Sequence, residues 1–117
     1  MTDTPFSPSE SKGDILIVDD EVDIREGLEL LLSSEGFKVT LSQNGTEGIE
    51  KMDAHLYDLV LLDLMMPDRS GMDVLAEVRT RDHETPIFMI TAYGSVEAAV
   101  EALKLGANDY FSKPWDN

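Results

Sequence analysis

Five side chains in this chain sit where chemistry would need them. Asp19 and Asp20 follow directly on the apolar run Ile15-Leu16-Ile17-Val18, and Asp63 follows Leu59-Val60-Leu61-Leu62. Thr91 closes Ile87-Phe88-Met89-Ile90, and Lys113 closes the stretch Asp109 to Ser112. Three carboxylates crowded together repel one another; at an effective dielectric of about 20, a like-charge pair at 4 Å costs about 4 kcal/mol. Such a group persists by taking up protons or by holding a hard cation. Oxygen-only ligands suit Mg²⁺, with Mn²⁺ as the second choice, and Mg²⁺ keeps waters that a phosphate oxygen can replace. With a hydroxyl donor and an ammonium added, the set is that of a phosphoryl-transfer site, in which one carboxylate attacks and the other groups stabilise the equatorial oxygens. An Asp-Asp pair alone means nothing in so acidic a chain; its place behind an apolar run, matched by Asp63 behind another, carries the information.

The elements that must position these residues are legible from periodicity. Runs 15–18, 59–62 and 87–90 are short, β-branched and apolar on both faces, as buried parallel strands are. Phe37, Val39 and Leu41 alternate with Lys38 and Thr40, so this strand belongs at an edge. Between them, Ile24, Leu28, Leu31 and Leu32 recur at helical spacing up to Gly36, and Ile49, Met52 and Leu56 mark a second helix opened by Asn44-Gly45. Val74, Leu75 and Val78 mark a third; Val96, Ala99, Val100 and Leu103 form the apolar face of a fourth, stopped by Gly106. A last strand spans 109–112. Short connections and strict alternation require an α/β fold, a doubly wound five-stranded parallel sheet of flavodoxin-like order 2-1-3-4-5. Ligands bind where the winding reverses, at the carboxyl ends of the first and third strands.

Composition narrows the remainder. The chain has 117 residues, 24 acidic against 9 basic side chains, a net charge of −15 and no cysteine. That length holds one core. Disulfide scaffolds and thiolate metal sites are excluded, and the cytoplasm is the default compartment. No apolar stretch is long enough for a membrane span. The acidity counts against direct contact of this segment with nucleic acid, which needs Lys and Arg clusters. Residues 1–13, rich in Ser, Pro and Thr, read as a flexible lead-in to a domain over 14–117.

The segments ILIVDDE (15–21), LVLLDLMMPDRSGMDVL (59–75), ITAYGSVEAAVEALKLGA (90–107) and DYFSKPW (109–115) together resemble the receiver domain of bacterial two-component response regulators. The stretch from Thr91 to Trp115 is most similar to regulators of the nitrogen-regulatory, sigma-factor-activating type. The resemblance implies that Asp63 is the phosphoacceptor, taking its phosphoryl group from a sensor histidine kinase. It implies that Asp20 holds Mg²⁺ directly and Asp19 largely through water, with Asp63 and the Met65 backbone carbonyl as further ligands. Thr91 would bond the arriving phosphoryl oxygen, Lys113 would pair with Asp63 and then with that group, and Tyr110 would be the aromatic switch. Ala92 leaves access, bulky Met65 and Tyr93 would screen the product from water for minutes or longer, and Lys113-Pro114 matches a peptide bond that is cis in the family.

The family carries a fifth helix where this chain has only Trp115, Asp116 and Asn117, so part of one sheet face is expected to lie open, inviting a second copy of the chain. Glu21 either only extends the acidic rim or touches the metal's waters, while His55, His83 and the side chains of Met65 and Met66 read as surface or packing. Two rival readings remain: a Mg²⁺-dependent phosphohydrolase, opposed by Met65 standing where those enzymes place a second Asp, and a stand-alone phosphorelay receiver. A flavodoxin-like cofactor carrier is excluded, since Asp19-Asp20-Glu21 would repel phosphate after the first strand. The expected protein is thus a switch consumed as a substrate, with any transcriptional output lying beyond this segment.

Overall fold

A computed structural model of the chain describes residues 11–92 and 94–113. The elements follow one another as β1 (Asp14–Val18), α1 (Val22–Ser34), β2 (Lys38–Ser42), α2 (Gly45–Ala54), β3 (Leu59–Asp63), α3 (Gly71–Val78), β4 (Ile87–Thr91), α4 (Val96–Leu105) and β5 (Asp109–Ser112). All pairings are parallel and the sheet order is β2-β1-β3-β4-β5, as the alternation requires. The register sets the level at which each strand ends: Val18 lies beside Leu62, Asp63 beside Ile90, and Thr91 beside Ser112. The residues just after β1 and β5 and at the ends of β3 and β4 therefore emerge at one level along one edge.

Right-handed crossovers put α1 on one face of the sheet and α2, α3 and α4 on the other. The core fills the three-helix side, where Leu16, Val18, Val60, Leu62, Ile87 and Met89 meet Ile49, Val74, Leu75, Val78 and Ala102. Each such aliphatic side chain contributes roughly 1.5–3 kcal/mol on burial. On the α1 side Ile15, Ile17 and Ile90 are buried, but Leu59, Leu61 and Phe88 are only half-buried and Phe111 is 45% exposed. No residue of α1 is fully buried. Strand β3 is thus apolar on both faces without being closed on both.

Two expectations about helices need correcting. The stripe assigned to α4 faces outward: Val96, Val100 and Leu103 are exposed, and Ala98, Ala102 and Leu105 face the core instead. Small residues let the helix approach the sheet closely, so the larger apolar side chains lie on the outer surface. Helix α2 ends at Ala54, leaving Leu56 outside it and 83% exposed. Before the first strand, Lys12 N donates to the Gly36 carbonyl at 3.0 Å, and Asp14 opens β1.

Helix starts follow local chemistry. Asn44, Ser70 and Ser95 cap α2, α3 and α4, accepting from the amides of Glu47, Asp73 and Ala98, bonds that contribute about 1 kcal/mol each. Glu21, at the same position before α1, makes no such bond. Among the described residues no helix is long and apolar enough to cross a membrane.

Candidate functional site

The carboxyl edge of the sheet delivers what the sequence placed there. Asp19 leaves β1 fully buried, Asp63 ends β3 at 3% exposure, Thr91 ends β4 fully buried, and Asp20 stands exposed at the rim. Carboxylate oxygens of Asp19, Asp20 and Asp63 all lie within 4.8 Å of one another. Lys113 reaches in from the end of β5, its Nζ 3.0 Å from Asp19 Oδ2 and 3.6 Å from Asp63 Oδ1. Its backbone N donates to the Thr91 carbonyl at 2.7 Å, which fixes the start of that reach. A cleft of about 230 Å³ opens over the group, lined by Asp20, Glu21, Asp63, Met65, Ala92 and Lys113.

The electrostatics follow from crowding. Burial pushes the Asp63 carboxyl up to about 7, with the Asp19 charge adding to the rise and Lys113 opposing it. Asp19 is raised too, chiefly by burial, against the Glu21 amide and Lys113, which favour its charged form. Burial alone would lower the Lys113 ammonium, yet its contacts with Glu21, Asp19 and Asp63 leave it above the ordinary lysine value. One cation facing three carboxylates leaves the pocket net negative.

The loop after β3 is seated tightly. A Cβ at Gly71 would lie 2.2 Å from the Asp63 carbonyl oxygen, so only glycine allows α3 to begin there. Gly71 N donates to the Leu64 carbonyl at 2.7 Å, and Met65 N donates to Asp63 Oδ1 at 3.3 Å. Met65 itself is exposed and Met66 packs against the core. Tyr110 lies against the core cluster with its hydroxyl buried, close to Gly94 and without a hydrogen-bond partner among the described residues. Tyr93 and the Lys113-Pro114 peptide fall outside the described residues, as do residues 114–117 and 1–10.

Residues 15–117 match the family described as response regulator receiver domain. The chain belongs to that family. It is 47% identical over 105 residues to the uncharacterized transcriptional regulatory protein YkoG of Bacillus subtilis (strain 168), covering 90% of this chain and 46% of that protein. Among solved structures it is similar to the response regulator TrrA of Thermotoga maritima in complex with Mg²⁺-BeF, with a TM-score of 0.80 and 36% identity over 88% of each chain. NtrX from Brucella abortus, in keeping with the nitrogen-regulatory resemblance, gives a TM-score of 0.82 at 34% identity, covering 89% of this chain and 24% of that one. The chain spans less than half the length of the curated relatives it matches. Receiver domains are regulatory modules, not turnover enzymes.

The pocket of this receiver domain fits a hard divalent cation. Its donors are all oxygens, three carboxylates brought within 4.8 Å of one another, and a single ammonium, 3.0 Å from Asp19 Oδ2 and 3.6 Å from Asp63 Oδ1, faces them. Sequence reasoning missed the second role of Glu21. Its Oε1 lies 2.5 Å from Lys113 Nζ, nearer than either buried aspartate. The available signal was its position one residue before a helix, where Glu is a poor cap. Arg25 adds another bond to the pocket wall, donating from Nη1 to the Asp19 carbonyl at 2.7 Å.

Proposed function

We propose that this domain is a phosphorylation-dependent switch in which Asp63 accepts a phosphoryl group from a phosphohistidine of a sensor histidine kinase. The observation that carries the reading is the meeting of Asp19, Asp20 and Asp63 with Lys113 at one strand edge. An Asp63 carboxylate oxygen attacks phosphorus, a P–O bond forms, the P–N bond to the donor imidazole breaks, and the imidazole leaves with that electron pair. Asp19, Asp20, Asp63 and the Met65 backbone carbonyl are assigned as the groups that hold Mg²⁺, with Mn²⁺ as a substitute. When bound, the cation neutralises the carboxylates and the charge gathering on the phosphoryl oxygens. Lys113 exchanges part of its contact with the aspartates for the transferred group, Thr91 is assigned to bond one of its oxygens, and Tyr110 to follow Thr91 inward.

The domain assists its own phosphorylation and dephosphorylation but is consumed in the reaction, so it is not an enzyme in the turnover sense. The altered state changes partner affinity and, through an output region beyond this segment, regulates transcription in the cytoplasm. A second copy of the chain is a further candidate partner, which sedimentation as a dimer would support. The decisive test is incubation with acetyl phosphate and Mg²⁺ followed by intact mass. One phosphate adduct is expected on the wild-type chain and none on Asp63→Asn; equal modification of both overturns the assignment.

A further inference from the structure

We propose that Asp68 is a positioning residue for the cation, holding the β3–α3 loop so that the Met65 carbonyl faces the acidic pocket; the proposal rests on the site assignment above. Asp68 lies in the loop three residues beyond Met65, outside the acidic cluster. Its carboxylate takes three bonds from the first residues of α2: Gly45 N at 3.0 Å, Thr46 N at 2.9 Å and Thr46 Oγ1 at 2.8 Å. Burial alone would raise its carboxyl, but those bonds outweigh it and hold the group down at about 2.

The surroundings show that this is a close joint and not a loose surface contact. A Cβ on Gly45 would lie 2.8 Å from Val74 Cγ2 and 3.3 Å from Arg69 Cβ, so the start of α2 presses directly on the loop and on α3. The next residue is fastened elsewhere, since Arg69 Nη2 meets Glu77 Oε1 on α3 at 2.5 Å. Gly71 N secures the far end of the loop on the Leu64 carbonyl. Asp68 and Arg69 thus tie successive loop positions to two different helices. Asn44 caps α2 through Glu47 N, and Asp68 takes the two amides before it, so one carboxylate joins the helix start to the loop. Its bonds anchor to α2 the far side of the loop that leaves Asp63 and passes through Met65. Groups that orient a metal's ligands without touching the metal characteristically contribute ten- to a hundredfold in affinity.

The test is calorimetric titration of Mg²⁺ into the wild-type chain, Asp68→Ala, Asp68→Asn and Asp20→Asn, with metal-free thermal melts of each. Acetyl phosphate labelling at varied Mg²⁺ runs alongside. Asp68→Ala is expected to weaken Mg²⁺ binding about tenfold, raising the Mg²⁺ needed for half-maximal labelling while leaving the saturated rate near wild type. Asp68→Asn, keeping one carbonyl acceptor, falls between them. Wild-type Mg²⁺ affinity in Asp68→Ala, whatever its melting temperature, overturns the proposal and reduces the bonds to helix packing. If Asp68→Ala does not fold, wild-type affinity in Asp68→Asn overturns it in the same way. Should Asp20→Asn also bind Mg²⁺ like the wild type, the site assignment itself has failed.

Discussion

The two edges of the sheet are built on opposite electrostatic terms. At the amino edge of β4 and β5 a single guanidinium knits the chain together: Arg79 donates to the carbonyls of Gly106, Asp82 and Thr85 and to Asn108 Oδ1, at 2.8 to 3.1 Å. Asn108 Oδ1 in turn accepts from Ile87 N, and the Asp82 carboxylate accepts from Glu84 N, Thr85 N and Thr85 Oγ1. Gly106, at φ +113°, closes α4 directly against the Arg79 side chain. At the carboxyl edge like charges are pressed together, and two aspartates are pushed toward their protonated forms. Stability is concentrated at one edge and reactivity at the other, the trade-off expected where function needs a locally unfavourable arrangement.

The contrast is tested hardest at Arg79. Replacing it with Met strands several carbonyl acceptors at once, and we expect a loss of about 3 kcal/mol. For a domain of this size the melting point should fall by more than about 10 °C. Mg²⁺ affinity measured by calorimetry should not move; if it falls in step with stability, the edges are not independent.

Asp63→Asn should act in the opposite direction. A carboxyl raised from 3.8 to about 7 on folding makes the native state bind more protons than the unfolded state between those values, so its contribution to stability falls as pH rises through that window. Removing the charge should therefore stabilise the metal-free domain by about 4 kcal/mol at pH 7.5, an advantage that vanishes near pH 4. Thermal melts across that range check it, and added Mg²⁺ should narrow the gap at pH 7.5. A variant less stable than wild type at high pH would mean that the carboxyl edge is not under strain.

The smallest effect belongs to the amino edge's surface. His55 Nε2 lies 3.0 Å from Asp14 Oδ2, with both side chains partly in water. His55→Gln should change stability by less than about 0.5 kcal/mol. A larger loss, read from denaturant midpoints, would show that the surface pair matters as well as the Arg79 network.

Strand order, the edge position of β2 and the convergence of Asp19, Asp20, Asp63, Thr91 and Lys113 were all legible, because each follows from apolar periodicity and from polar residues placed immediately after it. The inward face of α4 was not, since hydropathy ranks Val96, Val100 and Leu103 above Ala98 and Ala102, whereas close packing against the sheet selects the small ones. The Arg79 network was equally hidden: its partners are mostly backbone carbonyls from separate loops, which no residue type announces. The bond from Glu21 to Lys113 spans 92 positions, and only the folded sheet brings its ends together.

That bond has a consequence for where the molecule breathes. With the Glu21 side chain committed to Lys113, the opening turn of α1 lacks the side-chain bond that fastens the other three helices, and no residue of α1 is fully buried. Amide protons of Val22 to Ile24 should accordingly exchange with solvent sooner than those at the starts of α2, α3 and α4. The helix start that opens first would then stand at the threshold of the reactive cleft.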